Sequence, residues 1–132
     1  MTKSYKMVVL LAMLERGTDK WHQPVTPEEI APFFHQYLME KEYRKRIDFS
    51  DKNTKKLWEY DEKGVSDLIA TMPMTKWSGT SKGLVSFEKG IFKLEFPVMK
   101  EDEEILYRIT RDICEYRLHY HFERKGRREN RI

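Results

Sequence analysis

The sequence lacks several features that would by themselves decide a class of protein. Cys114 is the single cysteine among 132 residues, so no internal disulfide can form, which excludes a disulfide framework and fits a reducing cytosol. The longest apolar run, residues 7–14, is far shorter than the ~20 residues that span a bilayer. No small-residue cleavage site follows it, which argues against a signal peptide. We therefore expect a soluble, cytoplasmic protein without membrane partners.

The chain also lacks internal repeats, low-complexity segments and a strong net charge. Its formal charge is only +3, although 36% of the residues are charged. An apolar content of 39% and an aromatic content of 13% are sufficient for one buried core, and the length suits one domain. The placement of the basic residues is therefore more informative than their sum.

The stretch Ser4–Gly17 organises the rest of the chain. Its apolar run covers most of a helix circumference, and such a helix must be enclosed by its neighbours. Ser4 suits an N-cap, and Gly17 stands where helices often end in a left-handed residue. We predict a central, buried helix over residues 5–16.

A second helix, over residues 27–39, has clear start signals. Thr26, Pro27 and Glu29 form a capping box with proline at the first helical position. Apolar side chains then follow at helical spacing: Ile30, Phe33, Phe34, Tyr37 and Leu38. This face is expected to cover the first helix.

The middle of the chain is harder to interpret. Residues 39–63 are polar, with a turn expected at 48–53. A short helix over 65–72 is expected to end at Pro73, and residues 76–83 are small and polar enough for a flexible loop. Alternating apolar residues on either side of Lys89-Gly90 predict a β-hairpin over 84–96.

A long amphipathic helix over residues 102–122 is expected to close the domain. Acidic residues suit its N-terminus, and one apolar stripe is expected to face inward. The stripe consists of Ile105, Ile109, Ile113 and Tyr116, and it is widened by Leu106, Leu118 and Tyr120. Arg117 is expected to point outward. We predict a mainly helical α+β fold, with a single globular domain over 1–123 and a basic, flexible tail over 124–132.

The order helix, helix, short helix and hairpin is that of a winged helix, with the hairpin as the wing. A helix-turn-helix joins its helices by only a few residues, whereas a long segment separates residues 39 and 64 here. Either an additional helix near 53–60 lies between them, or the fold is not a winged helix.

Basic residues with aromatic and small neighbours indicate nucleic-acid binding, because Lys and Arg that reach the phosphate backbone supply most of its affinity. The alternative is that these basic residues lie on solvent-exposed faces, where nearby carboxylates balance their charge. The candidate nucleic-acid-binding residues lie at the start of the chain, at the end of the second helix, in the loop and hairpin, and in the tail: Tyr5, Lys6, Lys41, Arg44, Lys45, Lys76, Lys82, Lys89, Arg124, Lys125, Arg127 and Arg128.

Catalytic and metal-binding interpretations have weaker support. His119 and His121 are two residues apart, which places them on different helix faces, whereas a helical zinc pair is spaced i, i+4. Cys114 is interpreted as a small buried hydrophobe. A nuclease interpretation would use the carboxylates and lysine at Asp48, Asp51, Asp61 and Lys63, although no apolar strand fixes their geometry. No phosphate-binding Gly-Lys-Ser/Thr loop occurs, so we expect no ATPase activity and no cofactor.

The opening Ser4-Tyr5-Lys6-Met7, followed by an apolar helix, resembles a small domain attached to bacterial superfamily-two DEAD/DEAH-type helicases and restriction-type nucleases. These enzymes belong to DNA-processing and phage-defence systems. Four further features match that family in order: the aromatic face of the second helix, a short helix that ends before a proline, a strand pair with aromatic residues, and a closing helix. The closing helix has an Arg-Leu-x-x-Tyr-like end at residues 117–121, whose spacing departs slightly.

The resemblance implies a non-catalytic accessory module beside a motor or nuclease, with DNA and that enzyme as partners. It makes Tyr5 and Lys6 candidates for DNA contact, against the simpler view that Tyr5 packs and Lys6 is solvated. The alternative function is a protein-interaction adaptor of the same systems, of host or phage origin, that uses aromatic faces around Trp21, Trp58 and Trp77.

Overall fold

The computed structural model describes residues 3–130, and the side chains of residues 3–126. Within that range the fold is mainly helical with one small antiparallel sheet, which confirms the predicted α+β class. The helices are α1 (Tyr5–Leu14), α2 (Pro27–Glu40), α3 (Glu42–Asp48), α4 (Lys52–Lys55), α5 (Glu62–Ile69), α6 (Thr75–Thr80) and α7 (Glu103–Asn130), and the strands are β1 (Val85–Glu88) and β2 (Ile91–Leu94).

Helix α1 is the buried centre of the molecule, as predicted. Val8, Val9, Met13 and Leu14 are fully buried, and α1 packs against both α2 and α7. Burial of each such side chain contributes about 1.5–3 kcal/mol, so α1 accounts for much of the hydrophobic stabilisation. The chain leaves the helix through Gly17, whose φ of +102° is accessible to glycine at little cost.

The start of α2 also forms as predicted. The Glu29 amide donates to Thr26 Oγ1 over 3.2 Å, and the Thr26 amide donates to Glu29 Oε1 over 3.0 Å, which completes the capping box. Phe34 and Leu38 are fully buried on its apolar face. The helix ends at Glu40, because the backbone of Lys41 is extended.

Between α2 and α5, the chain forms α3, α4 and a 3-10 turn over Lys56–Trp58. This confirms the alternative with an additional helix near residues 53–60. The winged-helix arrangement itself is not confirmed.

The prediction that Pro73 ends a helix is wrong. The chain continues from α5 through a π-helical turn at Ala70–Met74 directly into α6. The wider turn accommodates the proline ring, and Thr75 Oγ1 donates to the Ala70 carbonyl over 2.6 Å. The expected flexible loop is therefore helical over residues 75–80, which places Lys76 and Trp77 on α6.

The hairpin forms with the predicted turn. Glu88 pairs with Ile91, and both Lys89 and Gly90 have positive φ, as a type I′ turn requires. Phe92 is fully buried, and its backbone exchanges two hydrogen bonds with Val25, which fastens the hairpin to the segment before α2.

The inward face predicted for α7 is wrong for most of its members. Ile105, Ile109, Ile113, Tyr116 and Tyr120 are 48–70% exposed, and Leu106 is half-buried. Leu118 is buried as predicted, but its buried neighbours on the helix are Cys114 and Phe122. This helix carries two apolar stripes, and helical periodicity alone does not predict which of them is buried. Burial also raises the pKa of the Cys114 thiol to about 11, in keeping with its predicted role as a small hydrophobe.

Helix α7 also continues to Asn130, beyond its predicted end at residue 122. Residues 124–130 are helical where a flexible tail is predicted. The side chains of Arg127 and Arg128 lie outside the described residues.

Candidate nucleic-acid interface

A buried polar network fixes the start of α1. Asp48, at the end of α3, accepts hydrogen bonds from the Ser4 amide over 3.0 Å and from the Ser4 hydroxyl. His121 Nε2 lies 3.0 Å from the other oxygen of the Asp48 carboxyl group, and all three side chains are fully buried or nearly so. Ser4 therefore does not cap α1 with its side chain but links α1 to α3 and α7.

Tyr5 belongs to the same network. Its hydroxyl donates to the Asp48 carbonyl over 2.6 Å, and only 4% of the residue is exposed. Burial, followed by the field of Asp48, raises the pKa of this hydroxyl far above its ordinary value. Nearly all of the Tyr5 side chain is thus withdrawn from solvent, which supports the packing role for this residue.

A surface groove of about 570 Å³ lies beside this network. The groove is formed by the start of α1, the π-helical turn before α6, and the middle of α7. Its lining residues are Lys3, Tyr5, Lys6, Met7, Met72, Pro73, Lys76 and Arg117. Two of the predicted residues that are far apart in sequence, Lys6 and Lys76, are brought together here.

The groove is basic above an apolar floor. Four of its lining residues are cations, and no carboxylate is among the lining residues that the structure describes. Met7, Met72 and Pro73 supply apolar surface. Because the cations lie around one concave surface, their fields add, and an anionic chain is attracted to it.

The four cations differ in how firmly they are positioned. Lys3 Nζ donates to the Ile47 carbonyl over 3.2 Å and lies 3.9 Å from a carboxylate oxygen of Asp51. Lys6 is half-buried, whereas Lys76 and Arg117 are exposed. The ammonium group of Lys3 is therefore partly occupied by contacts within the protein. Lys6, Lys76 and Arg117 are the better candidates for phosphate contact.

Lys3 and Arg117 are the groove cations that the sequence does not predict as site residues. Arg117 begins the Arg-Leu-x-x-Tyr-like end, and Lys3 lies immediately before the Ser-Tyr-Lys-Met stretch. Arg117 points outward, as predicted.

The basic residues predicted at the end of the second helix lie at the break after α2 and in α3, and two of them are engaged within the protein. The Arg44 guanidinium lies 3.9 Å from the centre of the Tyr37 ring and donates to the Tyr37 carbonyl over 3.0 Å. Lys45 pairs with Glu42 over 3.1 Å. Lys41 is exposed at the break between α2 and α3. None of these three lines the groove.

The hairpin lysines and the basic residues of α7 also lie apart from the groove lining. Lys82 and Lys89 are exposed in turns with positive φ. The Arg124 guanidinium lies 5.6 Å from the centre of the Tyr120 ring, and Lys125 is half-buried.

The nuclease and metal-binding residues considered in the sequence are not assembled into a site in the described part of the chain. Asp48 is buried in the network, Asp51 caps α4 through the Thr54 amide, and Lys63 pairs with Asp67. No group of three or more His, Cys, Asp and Glu side chains with metal-binding geometry occurs among residues 3–126. A second cavity, of about 470 Å³, mixes arginines with Glu115 and Glu123 and so offers no net attraction for one sign of charge.

Among the described helices, none has both the length and the apolarity needed to cross a bilayer. Comparisons with protein-family models, curated proteins and solved structures return no match to this chain.

Proposed function

We propose that this chain is a non-catalytic DNA-binding or DNA-sensing accessory domain of a bacterial helicase or nuclease system, of the kind that serves DNA processing or phage defence. The observation that carries the DNA-binding part is the basic groove, in which Lys6, Lys76 and Arg117 meet without a carboxylate among the described lining residues. The helicase or nuclease context rests on the resemblance of the opening segment and closing helix to such accessory domains.

The chemistry of the groove favours contact with the sugar-phosphate backbone. Lysine ammonium groups bind phosphate oxygens as point charges, and the methionine and proline floor suits the apolar faces of sugars. Asn and Gln, which read adenine by paired hydrogen bonds, are not among the described lining residues, and Arg117 is the one described lining residue whose guanidinium suits paired hydrogen bonds to guanine. With three lysines beside one arginine, binding is expected to depend mainly on charge and only weakly on base sequence.

The test is a salt titration of binding to labelled single-stranded and double-stranded DNA, followed by fluorescence anisotropy. If the four cations each neutralise one phosphate, log K for the duplex falls linearly with log salt concentration, with a slope of about −3 to −4. A matched duplex of unrelated sequence should bind with nearly the same affinity. Absence of binding at low salt, or binding that salt does not weaken, would contradict the proposal.

A protein-interaction adaptor is the second candidate, and one observation favours it. The tryptophans that the sequence suggests for it offer little open surface, because Trp21 is buried and Trp58 and Trp77 are half-buried. The exposed apolar residues of α7 offer such a surface instead. An adaptor would retain its partner when Lys76, Lys82 and Lys89 are replaced by Ala, whereas DNA binding through the groove would weaken with the Lys76 change.

A further inference from the structure

The outer face of α7 carries an apolar stripe that nothing in the described fold covers. Its members are Ile105, Ile109, Ile113, Tyr116 and Tyr120, each between 48% and 70% exposed. They recur at spacings of four and three residues, which keeps them in line along the helix. The rings of Tyr116 and Tyr120 are stacked, with 13° between their planes. The stripe runs for about 23 Å at the rise of an α-helix.

The positions in this α7 stripe are symmetric along the chain. Ile105 and Tyr120 lie at equal sequence distances from a point beside Ile113, and so do Ile109 and Tyr116. If a second copy of α7 packs in the opposite direction, Ile105 and Ile109 therefore each meet a tyrosine of the second copy, and Ile113 lies next to the two-fold axis. Such an interface uses the same patch on both copies, which is the commonest arrangement in homodimers.

The charges at the two ends of α7 favour the same direction. The start of the helix and the turn before it carry Glu101, Asp102, Glu103 and Glu104 with Lys100. The sequence at its end carries Arg124, Lys125, Arg127 and Arg128 with Glu123 and Glu129. Antiparallel packing brings the acidic end of one copy near the basic end of the other, whereas parallel packing would bring like charges together.

We propose that the α7 stripe is a self-association surface, through which two copies of this chain pair antiparallel about Ile113. The stripe is short, so the interface lies at the small end of specific protein interfaces, and association is expected in the micromolar range. The inference does not depend on DNA binding, because only the groove carries that function and the stripe is not among its lining residues.

Sedimentation velocity over a range of concentrations tests the proposal. We expect a reversible monomer–dimer equilibrium in the unmodified chain. Ile109→Glu should weaken association by about tenfold or more, because it places a carboxylate in the apolar contact of both copies. Leu84→Glu is the matched control, since Leu84 is 58% exposed outside the stripe, and it should leave association unchanged. A monomer at all concentrations, or equal effects of the two variants, would overturn the proposal.

Cysteine cross-linking tests the direction. The native Cys114 is buried, so an introduced surface cysteine is the accessible thiol among the described residues. Ile113→Cys should form a disulfide-linked dimer under mild oxidation, whereas Tyr116→Cys should form far less, because antiparallel packing separates the two copies of residue 116. Equal cross-linking at both positions would indicate parallel packing and overturn the antiparallel assignment.

Discussion

Replacement of Asp48 by Ala is expected to lower the free energy of unfolding by about 3–5 kcal/mol. The carboxyl group of Asp48 accepts from the Ser4 amide and hydroxyl and contacts His121 Nε2 in the interior. Its removal leaves these groups without partners, and each unsatisfied buried group costs about 1–3 kcal/mol. Urea denaturation measures the loss as a lower midpoint.

Two further variants make this result interpretable. Asp51→Ala removes an equivalent carboxyl group from an exposed cap on α4 and should cost only about 1 kcal/mol. Asp48→Asn keeps the shape and one acceptor oxygen, so its loss should fall between those of the two alanine variants. If Asp48→Ala is no more destabilising than Asp51→Ala, the network does not fix the start of α1.

Replacement of both Lys6 and Lys76 by Ala is expected to weaken duplex binding by about 50-fold near 0.1 M salt. Each lost phosphate contact lowers the magnitude of the salt slope by about 0.9, so the double variant should lose about 1.8. Both residues belong to the groove lining, and neither is a member of the Asp48 network or of the α7 stripe. The measurement is the same anisotropy titration.

The matched control is Lys20→Ala with Lys100→Ala, which changes the net charge equally. Both lysines are exposed, and neither lines the groove. They lie towards the opposite end of α1, where Trp21 Nε1 donates to the Glu103 carbonyl over 3.4 Å. If this pair weakens binding as much as the groove pair, affinity reflects overall charge and the groove has no special role.

The elements that the sequence predicts correctly are those with local signals. Thr26 and Glu29 lie three residues apart and define the start of α2, and Lys89-Gly90 defines the hairpin turn. The residues of α1 are apolar around most of the helix circumference, so the helix must be buried. In each instance, the residues that decide the structure are near neighbours in the chain.

The wrong predictions concern elements whose structure depends on contacts between residues far apart in the sequence. The local sequence predicts a turn at Asp48, whereas its partners Ser4 and His121 lie 44 and 73 residues away. That contact helps select the Cys114 and Leu118 side of α7 for burial over the isoleucine side, a choice that helical spacing leaves open. Proline ordinarily ends a helix, and the sequence around Pro73 does not indicate the wider π-helical turn that accommodates it.

The sequence predicts which basic residues are candidates for the site, but not which of them lie together in the fold. Lys6 and Lys76 were identified from their basic character, and they share one groove because α1 packs beside the π-helical turn. Arg44 and Lys45 looked equally suitable in the sequence. Their engagement with Tyr37, Trp58 and Glu42 depends on side-chain packing that charge patterns do not report.

The most direct test of the basic groove as the DNA site is a map of amide chemical-shift changes during titration with a short duplex. We predict the largest changes in residues 3–7, in residues 72–76 and around Arg117, with the hairpin turn at Lys89-Gly90 unaffected. Changes centred on the hairpin turn and Lys82, or spread evenly over the basic surface, would contradict the assignment of DNA binding to this groove.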